Sequence, residues 1–105
     1  MLSAEQKRFY DENGYLMVED VVTGDALRRL QAVTHDLIEA SRAVTESDEI
    51  YDLDHGHCAE TPRLTRIKLP HKVDPCYDEI LKSSAVTEVL RDLLGPDVTL
   101  LTAKL

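Results

Sequence analysis

Three stretches of the sequence carry side chains with the means to do chemistry. The densest is DLDHGHC, residues 52–58, which sets Asp52, Asp54, His55, His57 and Cys58 within seven positions. All five can ligate a metal, and His-x-His in extended chain points both imidazoles to one side. The surroundings weaken that reading. A structural zinc site needs two ligand pairs, and no second Cys/His pair at finger spacing occurs. A calcium loop needs oxygens at alternate positions and a late Glu, which the run lacks. A polar loop with two solvated histidines is the plainer interpretation, and a small metal-binding protein ranks third among the functions considered.

The second stretch is RLTRIKLPHK, residues 63–72, a local basic cluster of Arg63, Arg66, Lys68, His71 and Lys72 in a chain of net charge −8. One reading is salt bridging to the acidic segment just before it, where surface pairs contribute little. The other uses alternation. If Ile67 and Leu69 pack on one face of a strand, Arg66 and Lys68 project together from the other. Paired cations so placed suit a carboxylate or phosphate, Arg as a two-pronged donor and Lys as a point charge. The third stretch is VTLLTAKL, residues 98–105, where Val98, Leu100, Thr102 and Lys104 share a face. Lys104 then either snorkels out at the strand end or faces a pocket. Nothing favours nucleophilic or nucleotide chemistry. No nucleophile elbow, phosphate loop or dinucleotide fingerprint is present, and the chain has only 4 glycines.

The elements that must hold these residues are legible in outline. Ser3 with Gln6 forms a weak capping box for a helix through AEQKRFYDE, ended by Asn13-Gly14. Tyr15 to Val18 reads as a short strand. Thr23 caps a second helix with Asp25 in its first turn, and Leu27, Leu30, Val33, Leu37, Ala40 and Val44 form its apolar stripe. Residues 45–62 have no sustained period and read as a long loop. Arg63 to Leu69 is a strand bounded by prolines, PHKVDP a turn, and CYDEILKS a short helix. A last helix starts at Ser84 and stops at Gly95-Pro96, before a closing strand from Val98 to Leu105. Three short strands separated by helices make a poor independent sheet, so the architecture reads as incomplete.

Composition narrows the class. A length of 105 residues suits one domain, and 43% hydrophobic with 30% charged residues describes a globular chain. With 5% aromatic residues and no Trp, the core must come from Leu, Val, Ile and Ala. The acidic balance opposes nucleic-acid binding, and no apolar run spans a bilayer. The N-terminus turns polar within a few residues, unlike a signal peptide. Cys58 and Cys76 therefore read as reduced thiols in a cytoplasmic protein.

Taken together, LSAEQKRFYDENGYLMVEDVVTGDALRRL, PRLTRIKLPHKVDPCYDEIL and VLRDLLGPDVTLLTAKL resemble, in order and spacing, the N-terminal part of the phytanoyl-CoA dioxygenase family. These are non-haem iron, 2-oxoglutarate-dependent oxygenases. The resemblance covers nearly the whole chain. It implies an α+β fold: N-terminal helices plus the first strands of a double-stranded β-helix, or jelly roll, incomplete in this chain. Residues 1–105 would form one N-terminal segment of such a domain. It also implies Fe(II) on a two-His-one-carboxylate triad, and oxidative decarboxylation of 2-oxoglutarate coupled to hydroxylation of a small organic or acyl substrate. The sequence departs from the family in having no His-x-Asp, so no iron ligand and no catalytic residue is assigned, and the chain alone is expected to be inactive. Lys68 and Lys104, with Arg66 beside Lys68, match positions that the resemblance places near the 2-oxoglutarate site. The alternative, from another class, is a non-catalytic acidic helical module that binds a partner through exposed apolar faces or a strand edge.

Overall fold

Ser3 opens the first helix with the capping box its spacing implies. The Gln6 N–H donates to Ser3 Oγ at 3.1 Å and the Ser3 N–H donates to Gln6 Oε1 at 2.9 Å, which satisfies two otherwise orphan donors. In the computed structural model, which describes residues 1–105, helix α1 spans Ala4–Asn13. It stops at Gly14, whose φ of 80° is open to glycine without cost and whose N–H closes on the Tyr10 carbonyl at 2.8 Å. Leu2 is buried and its N–H donates to Asp92 Oδ2 at 2.7 Å, tying this end of the chain to the last helix. Residues 15–18, expected as a strand, form no regular element and pair with no neighbour. Tyr15 and Met17 are largely exposed. A strand exists only when a neighbour takes its N–H and C=O groups, and none is at hand.

Helix α2 spans Gly24–Ala40. Thr23 sits at its N-cap with extended backbone, but its hydroxyl makes no capping bond, contrary to the sequence reading. The helix ends where Ser41, fully buried, turns its hydroxyl onto the Ile38 carbonyl at 2.6 Å, and a 3₁₀ turn follows over Ser41–Ala43. Two tyrosines pin α2 to the rest. Tyr51 donates its hydroxyl to the Leu37 carbonyl at 2.6 Å, and Tyr77 shares a 2.6 Å hydrogen bond with Thr34 Oγ1. The burial of each ring thus comes with a satisfied hydroxyl.

The stretch read as a long loop contains a strand. Strand β1 (Tyr51–Leu53) pairs antiparallel with β2 (Leu64–Ile67), placing Tyr51 opposite Ile67, Asp52 opposite Arg66 and Leu53 opposite Leu64. The Asp48 carboxylate starts it by accepting the N–H groups of Ile50 and Tyr51 at 2.8 and 2.7 Å, an Asx-type turn. These bonds hold its pKa below the ordinary carboxylate range, with a smaller contribution from the Lys68 charge. Beyond β2, Leu69 takes a left-handed conformation with φ 47° and turns the chain into three helices: α3 (Pro70–Val73), α4 (Pro75–Leu81) and α5 (Ser84–Leu94). The expected PHKVDP turn is thus partly one turn of helix. Asp74 caps α4 by accepting the Cys76 N–H at 2.8 Å. Of the closing strand expected over 98–105, only the last three residues pair.

Helices with a small antiparallel sheet make this an α+β structure, and it is open. Only 7 of 105 residues are buried, Tyr51, Ile67, Cys76 and Tyr77 forming the main core, so most apolar stripes are uncovered on one side. The radius of gyration is 16.7 Å, against roughly 13 Å for a compact domain of this length. Leu94, Val98, Leu100, Leu101 and Leu105 line an exposed apolar tract. No helix is long and apolar enough to cross a membrane.

Candidate functional site: a cationic sheet face

The site is built on the central strand. Past Ile67 the β2 backbone continues to pair on both edges. Lys68 donates its N–H to the Ile50 carbonyl at 2.7 Å, toward β1. On the other edge Ile67 and Leu105 exchange N–H···O bonds of 3.1 and 3.0 Å, and Leu69 donates to Ala103 at 3.1 Å. This register sets Lys68 directly opposite Lys104 in an antiparallel bridge. The flanking bonds make it a non-hydrogen-bonded pair, the closer kind, with Cα atoms about 4.5 Å apart and side chains on the same face.

Strand parity then gathers the remaining charges. Ile67 and Tyr51 point into the core, so Asp52, Arg66, Lys68 and Lys104 point out of it. The Asp52 carboxylate takes Arg66 Nε on Oδ2 and Lys68 Nζ on Oδ1, each at 3.0 Å. Lys68 Nζ also donates to the Asp48 main-chain carbonyl. Lys104 is exposed and forms no ion pair. Like charges directly opposite across a strand pair destabilise it. Three cations against one carboxylate leave an excess of two positive charges, in a chain whose net charge is −8. An incoming anion would relieve that repulsion. Both readings of the basic cluster therefore meet here: Arg66 and Lys68 do bridge to the acidic segment, and they do share a face. Arg63 pairs separately with Asp54 at 3.3 Å. Nothing local in the sequence pairs Asp52 with Arg66, since only the β1–β2 register sets them opposite each other, and its neighbours His55 and His57 point to metal ligation instead.

The metal reading of DLDHGHC gains no support. His57 Nδ1 accepts the Arg63 N–H at 2.9 Å, which makes Nε2, 3.0 Å from the Ser41 carbonyl, the protonated donor. Both ring nitrogens are thus spent fastening this turn to the end of α2. His55 is exposed, and Cys58 and Cys76 are free thiols, one exposed and one buried. No three His, Cys, Asp or Glu side chains converge on a metal-sized site, so the residues present do not fit an iron centre. They do fit a carboxylate: the donors on the cationic face are those such a group takes.

Comparison with known proteins gives two informative matches. The chain is 24% identical over 102 residues to a Stutzerimonas stutzeri protein named "Probable alpha-ketoglutarate-dependent hypophosphite dioxygenase", covering 97% of this chain and 36% of that protein. It is 31% identical over 99 residues to a Caenorhabditis elegans protein named "Probable phytanoyl-CoA dioxygenase", covering 90% of this chain and 31% of that one. The resemblance to the phytanoyl-CoA dioxygenase family is shown. It is a relationship to dioxygenases at low identity, and the chain spans about a third of the length of the curated relatives it matches. No family model and no solved structure matches.

Proposed function

We propose that residues 1–105 are the N-terminal part of an Fe(II)- and 2-oxoglutarate-dependent dioxygenase of the phytanoyl-CoA type, acting on a small organic or acyl substrate. In this reading the helices pack outside a jelly-roll barrel, β2 and residues 98–105 are among its first strands, and the uncovered apolar stripes meet the remainder of the barrel. Iron and 2-oxoglutarate supply the oxidising chemistry when bound. The iron ligands lie outside these residues, since the sequence holds no His-x-Asp or His-x-Glu. The contribution of this chain is to the co-substrate. Lys104, with the donors of Arg66 and Lys68 that Asp52 leaves free, would grip a carboxylate of 2-oxoglutarate and orient it. Charge-assisted bonds of this kind are about twice as strong as neutral ones.

The observation that carries this reading is the placement of Lys104 opposite Lys68, with Arg66 on the same face and an unbalanced positive charge. Titrating the purified chain with 2-oxoglutarate, followed by NMR, tests it. Binding should weaken by about tenfold in Lys104→Ala, the loss of one charged hydrogen bond. Undiminished binding would remove Lys104 from the site. With Fe(II) and 2-oxoglutarate present the chain should form no succinate, and succinate above the blank would refute the assignment of iron ligands elsewhere.

The second reading, a non-catalytic acidic helical interaction module, is favoured by the exposed tract Leu94–Val98–Leu100–Leu101. It predicts no preference for 2-oxoglutarate over other anions, so the same titration separates the two.

A further inference from the structure

Counting hydrogen-bond donors on the cationic face separates side chains that look equivalent in sequence. Arg66 meets Asp52 as an ion pair through Nε and makes no side-chain hydrogen bond, so its terminal amino groups are free. Of the three N–H donors on Lys68 Nζ one meets the Asp48 carbonyl, the ammonium pairs by charge with Asp52, and the backbone N–H is fixed to Ile50. Lys104 has spent none. Asp52 stands in register with Arg66, so a single carboxylate, placed by a backbone ladder, fixes two cations and leaves the third free.

We infer that Asp52 is a built-in counter-ion and positioning residue for this face: it fixes Arg66 and Lys68 and, by leaving a residual side-chain charge of +2, sets how strongly the face favours each added negative charge on a carboxylate ligand. The inference rests on the reading of the face as the co-substrate's anion site and adds what sets its selectivity. Lys68 becomes mainly the pin that holds residues 48–52 against β2, while Lys104 and the Arg66 amino groups take the ligand. The Asp48 carboxylate is turned onto two backbone N–H groups and makes no ion pair with Lys68. Its more distant charge is unaltered in every variant below and cancels from the ratios compared.

The experiment measures dissociation constants of acetate, succinate and tricarballylate for the full 105-residue chain, prepared as its C-terminal amide so that no carboxylate is added beside Lys104, by NMR titration at pH 8 and constant ionic strength. One added ligand charge roughly 6 Å from an altered side chain, at water-like dielectric, weighs a factor of about three. In Asp52→Asn the affinity for tricarballylate relative to succinate should therefore rise about threefold, and in Lys104→Gln it should fall about threefold. Asp52→Glu, which keeps the charge, should restore the wild-type ratio, an outcome a merely structural role would not give. A ratio that stays at the wild-type value in folded Asp52→Asn overturns the inference while leaving the anion site in place. Should Asp52→Asn fail to fold, Lys104→Gln, altered at an exposed and unpaired side chain, still decides, since an unmoved ratio there overturns the inference. A folded wild-type chain that binds none of the carboxylates overturns this inference and the co-substrate reading together. Binding of 2-oxoglutarate no tighter than succinate overturns the 2-oxoglutarate assignment alone.

Discussion

Replacing Ile67 by alanine should dismantle the platform on which the cationic face stands. Ile67 is 3% exposed and faces Tyr51 across the β1–β2 ladder, so its burial decides which way Arg66 and Lys68 point. The substitution removes three carbons, worth about 2.4 kcal/mol at about 0.8 kcal/mol each. A cavity term adds to this in well-packed cores, where Ile→Ala costs about 2–5 kcal/mol. Here few residues are buried, so the site can collapse or admit water, and the lower end, about 2–3 kcal/mol, is expected. Urea unfolding followed by tyrosine near-ultraviolet circular dichroism reads it without interference, because the chain has no Trp. With m near 1 kcal/mol/M, the midpoint should drop by about 2–3 M. Ile67→Val should cost only about 0.5–1.5 kcal/mol and leave anion binding intact. A midpoint shift under about 0.5 M for Ile67→Ala would mean that Ile67 is not interior, and the assignment of Asp52, Arg66, Lys68 and Lys104 to one outer face would fall with it.

Other consequences can be checked in the same assay. Ser3→Ala removes one half of the capping box and should cost about 1 kcal/mol, read as a lower midpoint and as loss of amide protection in the first turn of α1. Burial raises the Tyr51 phenol above its ordinary value, so the folded chain holds that proton more tightly than the unfolded one. The resulting stability is complete below pH 10, the unfolded value, and declines as pH rises beyond it. Tyr51→Phe should lose about 1 kcal/mol at neutral pH and show a flatter alkaline limb; an identical limb would exclude Tyr51 as its source. Asp48 is shifted the other way, chiefly by the Tyr51 and Ile50 N–H groups. Its contribution is present above about pH 4, the unfolded carboxylate value, and is lost as pH falls through the depressed folded value. Asp48→Ala should therefore flatten the acid limb, and an unchanged limb would count against the turn that starts β1.

What sequence could and could not anticipate follows from where each interaction is closed. The capping box of Ser3 and Gln6, the Gly14 stop and the stripe of α5 are complete within a few residues, and each stands where local pattern put it. Strands differ because their hydrogen bonds leave the segment. YLMV has the composition of a strand and no partner, so it stays unpaired; YDL, three residues in an acidic run, is a strand because Asp48 turns the chain onto β2. Thr23 marks the start of α2 without its hydroxyl reaching a backbone N–H, since a preferred residue type permits a cap but does not fix its rotamer.

The cationic face extends the same logic to function. Alternation alone set Arg66 and Lys68 on one face of their strand and aligned Lys104 with its own apolar neighbours, yet parity within a strand carries no information about register between strands. Lys68 and Lys104 are thirty-six positions apart in the chain, and three helices intervene, so only the backbone bonds of Ile67 and Leu69 to Leu105 and Ala103 set the two lysines opposite each other. Opposed lysines with no shared counter-ion are a local cost in a free-standing structure. That cost is most readily understood if the face works with an anion present, and Asp52, by pairing with two cations but cancelling only one of the three positive charges, sets how much charge is left for that anion to meet.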